Sequence, residues 1–195
     1  MKSLKRHTVL GILFVLFVGT LAHFLYDLFD NNHMIGLFTP VNESVWEHMK
    51  LLFFPMLLYS LFMVSHLKDN YPCIVSSSCF GILAGTLLIP ILYYAYTGLL
   101  GRDYFILDIG TFIVSVLFAF WIFYRLTLSC KVKPYTAFLC ILTGILFFCF
   151  IRFTYHPPAL AIFAEPSAET SAVTFPPKAI PPNSDTPPRS ALWPS

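Results

Sequence analysis

The sequence predicts an all-α, polytopic membrane protein of about five transmembrane helices with its N-terminus inside. Three observations predict it. Hydrophobic residues make up 57% of the 195 and charged residues 11%, against about 25% charged in a soluble domain. Five apolar stretches each reach the roughly 20 residues that a bilayer requires. The lysines and arginines gather at alternate ends of these stretches, as the positive-inside bias requires.

The first stretch runs from Thr8 to Phe29, behind Lys2, Lys5 and Arg6. A basic start and an apolar run ending at Thr20-Leu21-Ala22 also suit a signal peptide. The apolar pattern continues through Phe24-Leu25-Tyr26, which is long for a signal core and favours an uncleaved helix. The second stretch, Val45 to Leu67, opens on Ser44-x-x-Glu47, a capping-box pattern, and Pro55 inside it predicts a kink. The third, Tyr71 to about Leu100, contains Pro90 and the four-residue series Ser77, Gly81, Gly85. Such small-residue stripes admit a neighbouring backbone, within the subunit or in a homo-oligomer or partner subunit. The fourth runs from Tyr104 to Ser129. The fifth, Tyr135 to Tyr155, is weakened by Arg152.

With the N-terminus inside, Lys2, Lys5, Arg6, Lys68, Arg125, Lys131 and Lys133 fall on the cytoplasmic side. Lys50, Arg102 and Arg152 fall outside. This bias predicts a multi-pass protein of the cell membrane whose partner is the lipid bilayer. Residues 1–156 form the expected helical bundle. Residues 157–195 read as a disordered, Pro-rich extracytoplasmic tail, because ten of the last 40 residues are proline and no hydrophobic period survives. A net charge of +2 gives no case for nucleic-acid binding. The five cysteines are odd in number and lack CxxC spacing, so they read as small packing residues and not as a disulfide framework.

Function is expected in one polar layer. At 1.5 Å per residue, His23 lies about 10 Å and Asp27 about 4 Å below the outer end of the first helix. Glu47 and His48 lie about one turn into the second helix, and Asp108 about one turn into the fourth. Arg152 and His156 close the fifth on the same side, and Glu43 precedes the second. Intramembrane ionisable groups mark function by default. His23/Asp27, Glu43/Glu47 and Arg152/His156 have the i,i+4 spacing that puts side chains on one helical face.

These residues support several readings. His23, Asp27, Glu47, His48 and His156 suit a divalent metal (Zn, Mn or Fe), with Glu47 or Asp27 free to act as a base. No HExxH motif is present. The same groups suit ion relay in a transporter, or the binding and sensing of an ion or small ligand. A structural account pairs Glu47 with Lys50 near a wet interface, Asp108 with Arg152, and Asp103 with Arg102. It places Trp46 in an interfacial belt. Nucleophilic catalysis has little support, since Ser44 is better used as a cap and the cysteines sit in apolar surroundings.

Three segments carry a resemblance. They are Gly19 to Asp27 (GTLAHFLYD), Gly36 to Pro55 with Asn42-Glu43-Ser44-Val45-Trp46-Glu47-His48 as its most specific block, and Tyr155-His156-Pro157-Pro158. Together they resemble an uncharacterised family (a domain of unknown function) of small polytopic membrane proteins from clostridia-type Gram-positive bacteria, over about residues 8–165. The resemblance implies a bacterial cell membrane and no established activity. A looser similarity, to the alkaline ceramidase and adiponectin receptor group, implies a zinc-dependent membrane hydrolase. There Arg152-x-x-x-His156 stands where that group has HxxxH.

Overall fold

A computed structural model describes residues 2–165. Among them the chain is helical throughout, with no strand. The long helices are α1 (Lys2–Leu28), α3 (Val45–Leu67), α4 (Ile74–Leu100), α5 (Phe105–Ser129) and α6 (Thr136–Phe153). A short helix, α2 (His33–Gly36), lies in the α1–α3 connection, and 3-10 turns occur at Lys133–Tyr135 and Ala161–Phe163. All five long helices are long and apolar enough to cross a membrane. The expected fold class therefore stands in its architecture.

Helices α1, α3, α4 and α5 pack in a ring: α1 on α3, α3 on α4, α4 on α5 and α5 back on α1. Leu52, Phe53, Met56, Met63, Ile82, Val116, Phe120 and Phe123 fill its interior. Helix α6 lies against α4, and its Phe150 packs on Trp46 and Phe53 of α3 at ring distances of 4.7 and 5.0 Å. Pro55 and Pro90 both lie inside continuous helices. Many large side chains on the outer faces of α1, α5 and α6 are exposed, among them Phe17, Ile106, Trp121 and Phe148. That pattern suits a hydrocarbon solvent.

The small-residue stripe of α4 is consumed inside the subunit. Ser77, Gly81 and Gly85 are all buried. A Cβ on Gly85 would stand 2.5 Å from the Ala119 Cβ of α5 and 3.2 Å from Leu52 of α3. The stripe thus brings α4 against α5 and α3 within the subunit.

Two other expectations are corrected. Cys73 and Cys130 form a disulfide, so the cysteines are not all packing residues. Cys73 caps the start of α4, and Cys130 caps the end of α5 in left-handed backbone (φ 54°). Antiparallel packing of the two helices brings residues 57 apart in sequence together. Trp46 is not an interfacial belt residue either. It is 8% exposed, between Phe150, Phe153 and Phe163. Phe163 belongs to the 3-10 turn at the start of the expected tail, which therefore folds back onto α3. Residues 166–195 of that tail lie outside the described residues.

Gly85→Val should lower the thermal midpoint of the detergent-solubilised protein, by an overpacking cost of about 1–3 kcal/mol. Gly98→Ala, where a Cβ meets nothing within 4 Å, should leave the midpoint unchanged or raised.

Candidate functional site

The polar layer is organised by the start of α3. Ser44 is its N-cap, in extended backbone, and its hydroxyl accepts from the Glu47 amide at 3.4 Å. In a reciprocal capping box the Glu47 carboxylate would return to the cap residue. Here Asn42 takes the Ser44 amide at 3.0 Å, and Glu47 accepts instead from the Val41 amide at 3.0 Å. The carboxylate is thereby turned inward, beneath the loop.

There it meets Lys50. The two side chains are 3% and 0% exposed, with Nζ 2.6 Å from Oε2. The ammonium also donates to the carbonyls of Gly36 (3.1 Å) and Thr39 (3.4 Å) and to the Thr154 hydroxyl (2.6 Å). Thr154 in turn donates to the Phe150 carbonyl at 2.7 Å, so its lone pair is the part offered to Lys50. Gly36 must lack a side chain to come this close, since a Cβ there would lie 2.5 Å from the Tyr155 hydroxyl and 2.6 Å from Val41. The expected i,i+3 pair is present, then, but it is dry and buried. Both the Val41 amide and the Lys50 ammonium donate to Oε2, which commits that oxygen to structure.

The groups that do converge are His23 of α1, His48 of α3 and Glu43 of the loop before α3. One ligand atom from each lies within 4.8 Å of the other two. His48 is anchored: its Nδ1 donates to the Ser44 carbonyl at 3.0 Å. A carbonyl only accepts, so the proton is on Nδ1. The other nitrogen, Nε2, faces Glu43 Oε2 at 3.4 Å, with the two side chains 24% and 67% exposed. The His23 ring stacks on Phe24 and meets the His48 ring edge-on, centroids 5.2 Å apart. A cleft of about 130 Å³ adjoins these groups, lined by His23, Tyr26, Asp27, Pro40, Val41, Asn42 and Glu43. Asp27 is exposed at its edge.

The remaining expected site residues stand elsewhere. Asp108 accepts a hydrogen bond from the Tyr96 hydroxyl, tying α5 to α4. It makes no ion pair with Arg152, because α5 and α6 each pack on α4. Arg152 and His156 are both exposed and outside the His23–Glu43–His48 group. Arg102 does not pair with Asp103. It lies over the Tyr104 ring and donates to its hydroxyl at 2.6 Å. Sequence reasoning placed Glu43 in the ligand set but not among the metal ligands. It missed Thr154 and Gly36 as partners of Lys50, though the buried charge itself was a signal that such partners must exist.

Removing one member of the buried pair leaves the other charge unpaired. Lys50→Met should cost about 3–5 kcal/mol, read as folded yield and thermal midpoint. The double variant Lys50→Met/Glu47→Gln should recover part of that loss.

One family model, described as a family of unknown function (DUF6512), matches residues 1–170. No curated protein and no solved structure matches the chain.

Proposed function

The chain belongs to that family of unknown function, and we propose that it is a multi-pass membrane protein that binds a divalent transition metal through His23, Glu43 and His48. One observation carries the reading. With the Nδ1 proton of His48 committed to Ser44, Nε2 and a Glu43 carboxylate oxygen face each other across 3.4 Å. A proton or a metal ion between them makes that contact favourable. A proton alone would suffice for those two, but it has no use for His23, which makes no hydrogen bond among the described residues and completes the three-donor group.

The donor set fits the chemistry. Two imidazoles and one carboxylate ligate zinc in hydrolytic sites and iron in the facial-triad oxygenases. Ligand atoms of a tetrahedral zinc site lie roughly 3.4 Å apart, given bonds of about 2.0–2.1 Å. Glu43 and His48 already stand at that separation, and His23 reaches it by a modest side-chain shift. The Nδ1 bond to a backbone carbonyl is the usual second contact of a metal-bound histidine, where it fixes the ring.

Such a site has an open position, which faces the cleft. Binding or sensing of the ion, or of a small ligand held by it, is the primary reading. The Asp27 carboxylate in the same cleft favours a second, in which the bound ion activates water for hydrolysis and Asp27 takes the proton. The charge bias of the loops favours a cytoplasmic N-terminus and an outward-facing metal site, whereas the Cys73–Cys130 disulfide at the N-terminal end favours an oxidising compartment there.

Purified protein titrated with Zn²⁺ or Mn²⁺ by calorimetry should bind close to one equivalent. His48→Ala and Glu43→Gln should each weaken binding at least tenfold without loss of fold, and affinity should fall on acidification, because protons compete for the same nitrogens. Full-length protein that binds neither ion, nor Fe²⁺ under anaerobic conditions, would falsify the assignment. In the hydrolytic reading Asp27→Asn retains the ion and loses turnover; in the binding reading it changes neither.

A further inference from the structure

The end of the bundle away from the His23–Glu43–His48 group holds a second group of reactive side chains. Four of the five cysteines lie there, in two pairs, both involving α4. Cys73 at its start is bonded to Cys130. Six residues later, about 9 Å along the axis, Cys79 faces Cys140 of α6 with the sulfurs 3.5 Å apart. Cys79, Cys140 and Cys149 are the free cysteines among the described residues. Cys149 has no such contact, so facing thiols are not a general feature of these helices.

We propose that Cys79 and Cys140 are a redox-active dithiol that closes to a second disulfide, between α4 and α6, by exchange with a small disulfide. The geometry is close to bonding. A disulfide sets its sulfurs about 2.05 Å apart, so the pair must approach by roughly 1.5 Å. The two differ in exposure: Cys140 is exposed on α6 beside Phe138 and Ile141, a surface open to a small lipid-soluble reagent, and Cys79 is half-buried. The exposed Cys140 sulfur attacks the small disulfide and breaks its S–S bond, releasing one thiol and leaving a mixed disulfide. Cys79 then attacks the Cys140 sulfur and expels the second thiol. The two protein thiols are oxidised by two electrons, the small disulfide is reduced, and the two thiol protons end on the two released thiols.

The bond would act on the helix with the least burial of its own. Helix α6 buries only Leu139, Thr143 and Phe150. A cross-link at Cys140 anchors the end of α6 opposite to Thr154, which the Lys50 ammonium already holds.

The test uses the full chain in detergent with 4,4′-dithiodipyridine, a small lipid-soluble disulfide, as oxidant. Alkylation of the untreated protein should count three thiols. After oxidation it should count one, with a Cys79–Cys140 peptide pair in non-reducing mass spectrometry. Cys149→Ser should leave that cross-link intact, and Cys140→Ser should abolish it. A control sample is first reduced and then oxidised, so that re-formation of Cys73–Cys130 reports competence for exchange. If that bond returns while Cys79 and Cys140 stay alkylatable, or if Cys140 stops at the mixed disulfide, the proposal is overturned.

Discussion

The burial of one ammonium group governs the end of the bundle where α3 begins. Lys50 has no exposed surface, and a charge taken out of water must be paired and hydrogen-bonded or the fold cannot hold it. Its partners come from four separate places: the carbonyls of Gly36 and Thr39, the carboxylate one turn back, and a hydroxyl 104 residues away. Each demand then fixes something local. Gly36 must be glycine, Glu47 must turn inward, the 33–41 connection must fold over α3, and the end of α6 must lie beside it. The arrangement is less a contribution to stability than a specification of shape, since such pairs add little over an apolar core of equal volume.

The histidine site is a by-product of the same turn. Glu47 goes under the loop to meet Lys50, and the helix then carries its neighbour His48 outward, about 100° round the axis. Glu43, ahead of the cap in non-helical backbone, is left on the exposed side of the loop. The two acidic residues of one short block thus part company. One is buried and spent on structure; the other is exposed and free for a ligand. His23 reaches them because α1 packs directly on α3.

Much of this was legible in the residues. Length and hydropathy identified all five long helices, and Ser44 marked the start of α3 to the residue. Of the residues grouped by depth, His23, Glu43 and His48 converge. Their pairing was not legible, for a definite reason: spacing arguments assume helical geometry. His48 and Glu43 are five apart across a helix cap, so no periodicity rule pairs them. Asp108 was matched to Arg152 by depth and charge, but which helices touch depends on packing around α4, a tertiary fact. Cys73 and Cys130 escaped for a similar reason, since local spacing says nothing of residues joined by antiparallel packing. Trp46 was misjudged because the aromatic cover supplied by Phe163 came from a segment read only by its proline content.

The reach from Lys50 to Thr154 bears on how the chain is made. A ribosome completes α3 long before it reaches α6. Until then the ammonium has its near carbonyls and Glu47 but lacks the hydroxyl that closes its shell. The Lys50 end of the bundle cannot reach its final form until α6 has been made. Chains interrupted before Thr154 would lack the hydroxyl that completes the Lys50 shell.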